Sequence, residues 1–108
     1  MKRGAIVTVA ASGYAGKPRP AVIIQSDAFD GTDSITICLF TTTAVDAPLI
    51  RLPVEPDPTN GLQHPSYLMI DKIVTVRRNQ IDQRIGELAA QDIVRLNRAI
   101  LVFLGLAG

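Results

Sequence analysis

The hydrophobic repeat of this chain changes once, near Ala89, from a period of about two residues to one of about 3.6. The apolar runs before this point are short and rich in β-branched residues, which is typical of strands. After it, apolar residues form one stripe of an amphipathic helix. The stripe comprises Ile93, Leu96, Ile100 and Phe103. Gly105 predicts the end of this helix. The pattern predicts a mainly β protein, a small SH3-like antiparallel barrel or half-barrel with a C-terminal helix packed on it.

About five to seven short strands precede the helix. They are predicted at 6–9, 20–25, 35–41, 48–52, 66–70 with a continuation at 73–76, and 84–86. The prolines between residues 53 and 65 exclude a helix there and confine any strand to a sheet edge. The polar pair Asp71-Lys72 interrupts an apolar run, which predicts a bulge or a bend.

Composition limits the classes of protein to consider. We expect the 108 residues to form one domain, because this length supports one modest core. The net charge of +1 argues against a globally basic nucleic-acid binder, although a local basic patch stays possible. The single cysteine, Cys38, excludes an intrachain disulfide framework and a cysteine-rich zinc site. The sequence contains neither a long apolar span nor a secretory signal, so we expect a reduced, cytoplasmic setting.

The segment Gly16-Lys17-Pro18-Arg19-Pro20 runs directly into an apolar strand. Glycine and proline favour a tight, stiff turn. Such a turn would hold the Arg19 guanidinium at the mouth of the strand, where it can meet an anion. The alternative is a basic turn whose charged side chains only keep the loop soluble.

Several stretches resemble, in order and spacing, the MazF/PemK toxins of bacterial toxin–antitoxin modules. They are Lys2-Arg3-Gly4, the 16–20 turn with the strand to Asp27, Thr41-Thr42, Pro65-Ser66-Tyr67, 71–76, Gly86-Glu87-Leu88 and Leu104-Gly105-Leu106. The resemblance implies a homodimeric, metal-independent endoribonuclease that cuts single-stranded mRNA at a short sequence and needs no cofactor. It also implies a cognate antitoxin whose acidic and apolar C-terminal tail covers the RNA groove.

The resemblance places the usual catalytic pair of the family on Arg19 and Thr41, with Thr42 beside them, and the family's acidic residue on Asp71. Lys72 stands where the family has glutamine, and Met69 stands where plasmid-borne relatives have arginine. RNA cleavage by the ribose 2′-hydroxyl needs a proton acceptor, a proton donor and charge stabilisation at phosphorus. Arg19 suits the last task, since arginine keeps its proton and forms a planar fork. Asp71 is then the more natural base, while Arg19 as the acid or as a pure charge clamp stays open.

Further residues are candidates for RNA binding. Lys17 and Thr42 flank the pair above, Arg77 and Arg78 follow a strand, and loop aromatics can stack on unpaired bases. These aromatics are Tyr14 and Phe29. Each has an alternative, since the arginines suit a solvated turn, the aromatics can close the barrel ends, and threonines at a strand end often bind their own backbone. His64 is interpreted as a solvated loop residue and Cys38 as a small core residue.

Two other functions compete with the nuclease. A CcdB-like poison of DNA gyrase shares the fold type and acts by binding, but such toxins rely on a tryptophan near the C-terminus, and this chain has none. An inactive SH3-like module that binds a peptide strand is the second alternative.

Overall fold

A computed structural model of the chain describes residues 1–10 and 17–107. Within these ranges six strands form one antiparallel sheet in the order β4-β5-β3-β2-β1-β6, and one helix follows. The elements are β1 (Ala5–Val9), β2 (Arg19–Ile23), β3 (Ser34–Thr41), β4 (Arg51–Val54), β5 (Ser66–Arg77), β6 (Ile81–Glu87) and α1 (Ala90–Phe103), with short 3-10 turns at Asp27–Phe29 and Arg78–Gln80. The predicted fold class is confirmed, although the sheet keeps two edges, β4 and β6, rather than closing into a full barrel.

Both faces of the sheet carry an apolar cluster. Alternate residues of β1 divide between them, with Ile6 in the cluster beneath α1 and Val7 in the other cluster. The first cluster includes Leu96, the one helix residue in the described range that is fully buried. The second consists of strand residues of β1, β2 and β3. The helix residues that pack on the sheet, Ile93, Leu96, Ala99 and Ile100, all belong to the first cluster.

Two irregularities foreseen in the sequence occur in the sheet. Pro53 lies in β4, an edge strand, as expected for a residue without an amide hydrogen. Between β3 and β5 the register passes from Cys38 opposite Ile73 to Phe40 opposite Leu68. Three more residues lie on the β5 side than on the β3 side, so the predicted bulge around Asp71-Lys72 is confirmed.

The helix ends as predicted, but its stripe packs incompletely. The amide of Gly105 donates to the Val102 carbonyl and that of Leu106 to the Leu101 carbonyl, which is a Schellman motif with glycine in the left-handed region, at φ 74°. Ile93, Leu96 and Ile100 pack on the core. Phe103, the last residue of the stripe, is exposed together with the other apolar residues of the helix end. These are Leu101, Val102, Leu104 and Leu106.

Candidate active site

The antiparallel register brings Arg19 and Thr41 to the same end of the sheet. Arg19 is the first residue of β2, and Thr41 is the last residue of β3. The paired residues Ala21 and Leu39 lie two positions inside each of them. Strand pairing therefore places the backbones of Arg19 and Thr41 near each other at this end of the sheet.

Both residues line an open pocket of about 610 Å3. Its lining consists of Lys17, Pro18, Arg19, Pro20, Phe40, Thr41, Thr42, Gln63, His64 and Ser66. Four predicted site residues thus meet in one place. Gly16 and Tyr14 lie outside the described residues. Among the lining residues that the structure describes, Lys17 and Arg19 have basic side chains and none has a carboxylate. The pocket therefore suits an anion.

The Thr41 side chain is held by its own strand end. Its hydroxyl oxygen accepts a hydrogen bond from the Thr43 amide at 3.1 Å, which is the local pattern considered as the alternative for these threonines. A hydroxyl that accepts through oxygen still carries a hydrogen to donate. This bond therefore orients Thr41 and leaves it able to donate to a bound anion.

Asp71 has a different environment from the pocket residues. It is not part of the lining, and its carboxylate accepts a hydrogen bond from the Arg51 guanidinium on β4. That hydrogen bond lowers the pKa of Asp71 below its ordinary value of 3.8. A carboxylate with a lowered pKa is a weaker base, so the role of Asp71 in proton abstraction stays a prediction.

The remaining candidates lie at the opposite end of β3. Ser34, the first residue of β3, pairs with Arg77, whereas Thr41 at the other end pairs with Tyr67. At about 3.3 Å per residue, the two ends of β3 are on the order of 20 Å apart. Arg78 donates to the backbone carbonyls of Asp30 and Thr32. Phe29, which precedes Asp30 in the chain, is exposed. The structure does not bring Arg77, Arg78 and Phe29 to the Arg19 pocket.

The structure adds His64, which the sequence indicated only as a loop residue. The imidazole is exposed, as expected, but it lines the pocket. The loop returns to the sheet at Ser66, next to the Tyr67 that pairs with Thr41. No pattern of the sequence itself marked His64 as a site residue, because the burial of Leu62 and Ser66 on either side of it is seen only in the structure.

Cys38 takes the core position expected for it. It is buried and its thiol donates to the Met69 carbonyl at 3.4 Å. Burial raises the pKa of the thiol to about 12. In the parts of the chain that the structure covers, His, Cys, Asp and Glu side chains do not gather in groups of three or more that could hold a metal ion. Nor does that part include a helix of the length and apolarity that crossing a membrane requires.

Comparison with known proteins identifies the family. Residues 2–104 match the model of the PemK-like, MazF-like toxin of type II toxin–antitoxin systems. A Mycolicibacterium smegmatis protein, described as a probable endoribonuclease MazF, is 56% identical over 109 residues and all of both chains. The solved structure of Mycobacterium tuberculosis toxin MazF-mt6 superposes with a TM-score of 0.82 at 25% identity, over 96% of this chain and 99% of that one. A mycobacterial endoribonuclease, solved in complex with its cognate antitoxin, superposes with a TM-score of 0.82 at 24% sequence identity. The match covers 100% of this chain and 98% of that one. The chain belongs to the PemK-like, MazF-like toxin family.

Proposed function

We propose that this protein is a toxin endoribonuclease that cuts single-stranded mRNA at a short sequence without a metal ion. The observation that carries the proposal is the shared pocket of Arg19 and Thr41, which is cationic and open to solvent. Membership of the toxin family supports it, as does the 56% identical relative described as a probable endoribonuclease. The pocket is large enough for a phosphodiester with parts of the flanking nucleotides.

In the proposed reaction the ribose 2′-oxygen attacks the adjacent phosphorus and the 5′-oxygen leaves. The products are a 2′,3′-cyclic phosphate and a 5′-hydroxyl. Arg19 neutralises the charge that builds on the non-bridging oxygens, because a guanidinium donates two parallel hydrogen bonds to such a group. Thr41 donates a further hydrogen bond from its fixed hydroxyl, and Lys17 with Thr42 holds the neighbouring backbone.

For Asp71 the proposal has a condition. Its carboxylate must leave Arg51 when RNA binds if it is to accept the 2′-hydroxyl proton. The variant Asp71→Asn tests this by single-turnover cleavage. An unchanged rate with intact RNA binding would remove Asp71 from the chemistry.

The test of the function is metal-free cleavage of a long RNA. Purified protein is incubated with the RNA in EDTA, and the cut ends are mapped. We expect cuts at one short sequence with 2′,3′-cyclic phosphate ends. Arg19→Ala should lose cleavage while it stays folded, whereas Arg98→Ala, an exposed arginine on α1, should keep it. Intact RNA with loss of gyrase supercoiling would support a gyrase poison instead.

We propose a homodimer and a cognate antitoxin as partners. The exposed apolar residues at the end of α1 and just beyond it support a protein interface there. The cationic pocket suits an antitoxin tail that carries acidic residues. Leu104→Asp should shift the protein toward the monomer in light scattering, and an unchanged mass would place the interface elsewhere.

A further inference from the structure

We propose that His64 is the general acid of this cleavage, an assignment that rests on the proposed nuclease function. In this role the imidazolium protonates the 5′-oxygen as it leaves phosphorus. Three features carry the proposal. They are the position of His64 in the Arg19 pocket, the fixed backbone on either side of it, and the chemistry of the other lining side chains.

The backbone of His64 is held from both sides. Before it, Leu62 is buried and its amide donates to the Asn60 side-chain oxygen at 3.0 Å. After it, the hydroxyl of the buried Ser66 donates to the His64 carbonyl at 2.9 Å. Pro65 between them restricts the chain further. An exposed loop residue without a role needs no such anchoring, whereas a residue that must meet a reacting atom does.

The lining offers few groups that can both hold and release a proton near neutral pH. Arg19 keeps its proton, and a threonine hydroxyl does not give one up. The ordinary pKa of a lysine side chain lies far above neutrality, so lysine is a weak acid. Histidine has an ordinary pKa close to neutrality, where general acids are most effective. His64 is the only histidine in the chain.

The step balances as follows. A lone pair of the 2′-oxygen forms the new bond to phosphorus, and the 2′-hydroxyl proton passes to Asp71 if that carboxylate has left Arg51, or otherwise to water through the open mouth of the pocket. The bond between phosphorus and the 5′-oxygen breaks with its electron pair on that oxygen. The imidazolium proton of His64 moves to the 5′-oxygen, and water returns a proton to the neutral imidazole afterwards.

A sulfur substitution tests the assignment. Two short RNAs that contain the mapped cut site are compared, one unmodified and one with sulfur in place of the leaving 5′-oxygen. A thiolate leaves without protonation, so the modified RNA needs no general acid. His64→Ala should lower the single-turnover rate on the unmodified RNA by about 10²-fold or more. On the sulfur RNA its rate should stay within about threefold of the unchanged protein, since the proton contribution is absent there.

The controls separate this inference from the function it rests on. Arg19→Ala should lose activity on both RNAs, because charge stabilisation at phosphorus is needed for either leaving group. Equal loss on both RNAs in His64→Ala would overturn the acid assignment and indicate a role in binding or folding. An unchanged rate on the unmodified RNA would also overturn it. If the unchanged protein cuts neither RNA, the proposed function itself fails.

Discussion

Replacing Asn60 by alanine should destabilise the protein more than any surface change of the same kind. Asn60 is 0% exposed and closes the loop that leads from β4 to the pocket. Its side-chain oxygen accepts hydrogen bonds from the amides of Asp57 at 3.2 Å and Leu62 at 3.0 Å. Its side-chain nitrogen donates to the Glu55 carbonyl at 2.8 Å. Alanine can make none of these bonds.

The size of the effect follows from three lost hydrogen bonds. Each contributes about 1 kcal/mol net, so the free energy of unfolding should fall by about 3 kcal/mol. The Leu62 amide is buried, so water cannot replace the lost side-chain oxygen as its hydrogen-bond partner, and nothing reduces the expected loss of unfolding free energy. For a domain of about 100 residues, a loss of about 3 kcal/mol lowers the melting temperature by about 12 °C or more.

Thermal and urea unfolding followed by circular dichroism measures this change. The matched control is Asn97→Ala, the same substitution at an exposed helix position, which should change the free energy by less than about 0.5 kcal/mol. An Asn60→Ala protein that melts within a few degrees of the control would refute the view that this side chain holds the loop. Below its melting temperature, Asn60→Ala should also cut RNA more slowly, since His64 lies in the same loop.

Three other outcomes can be measured. A Cβ on Gly86 would collide with backbone atoms of the loop after β4, so Gly86→Ala should lose about 3 kcal/mol. Gly31→Ala, which has open space around the new methyl, should lose nothing in the same unfolding experiment. Cys38, with its pKa raised to about 12 by burial, should resist iodoacetamide at pH 8 until urea unfolds the protein; rapid labelling of the folded protein would contradict the buried position. Because the pKa of Asp71 is lowered by its bond to Arg51, this bond stabilises the folded protein at pH values above the ordinary pKa of 3.8. The stabilisation is lost as the pH falls through the lower pKa that Asp71 has in the folded protein. Asp71→Asn should therefore flatten the acid limb of a plot of stability against pH, and an identical limb would show that the ion pair contributes nothing.

The order of elements could be predicted because it depends on local patterns. The change of period near Ala89 and the β-branched runs reflect which faces are buried, and burial decides the elements. The lengths of the strands could not be predicted, because they depend on pairing with neighbouring strands, which the local sequence pattern does not show. β6 was expected over 84–86 but extends over Ile81–Glu87, because its backbone pairs with β1 along this length. A polar sequence such as Asp82-Gln83-Arg84 hides a strand that lies at a solvated sheet edge.

The candidate site was predictable where one residue carries its own signal. Arg19, between two prolines, and Thr41, at the end of a β-branched run, both lie where the pattern placed them, although their roles stay proposals. His64 carried no such signal, because the residues that line the same pocket, Arg19 and Thr41, lie far away in sequence. Arg78 had the appearance of a free surface cation, yet its donors are directed to backbone carbonyls. Sequence shows the type of a side chain, and only the fold shows what it meets.

The pocket and the frame that supports it depend on different residues, which makes the mechanism open to test. Lys17, Arg19 and His64 are exposed, and exposed side chains contribute little to stability when truncated. Asn60 and Ser66 are buried and hold the loop through hydrogen bonds. A loss of cleavage in the first group, at unchanged melting temperature, therefore reports chemistry or binding. A loss of cleavage in the second group comes with a lower melting temperature, and it indicates that the loop no longer holds His64 in place. Comparing the two groups on the oxygen and sulfur RNAs then separates the proton donor from the loop that positions it.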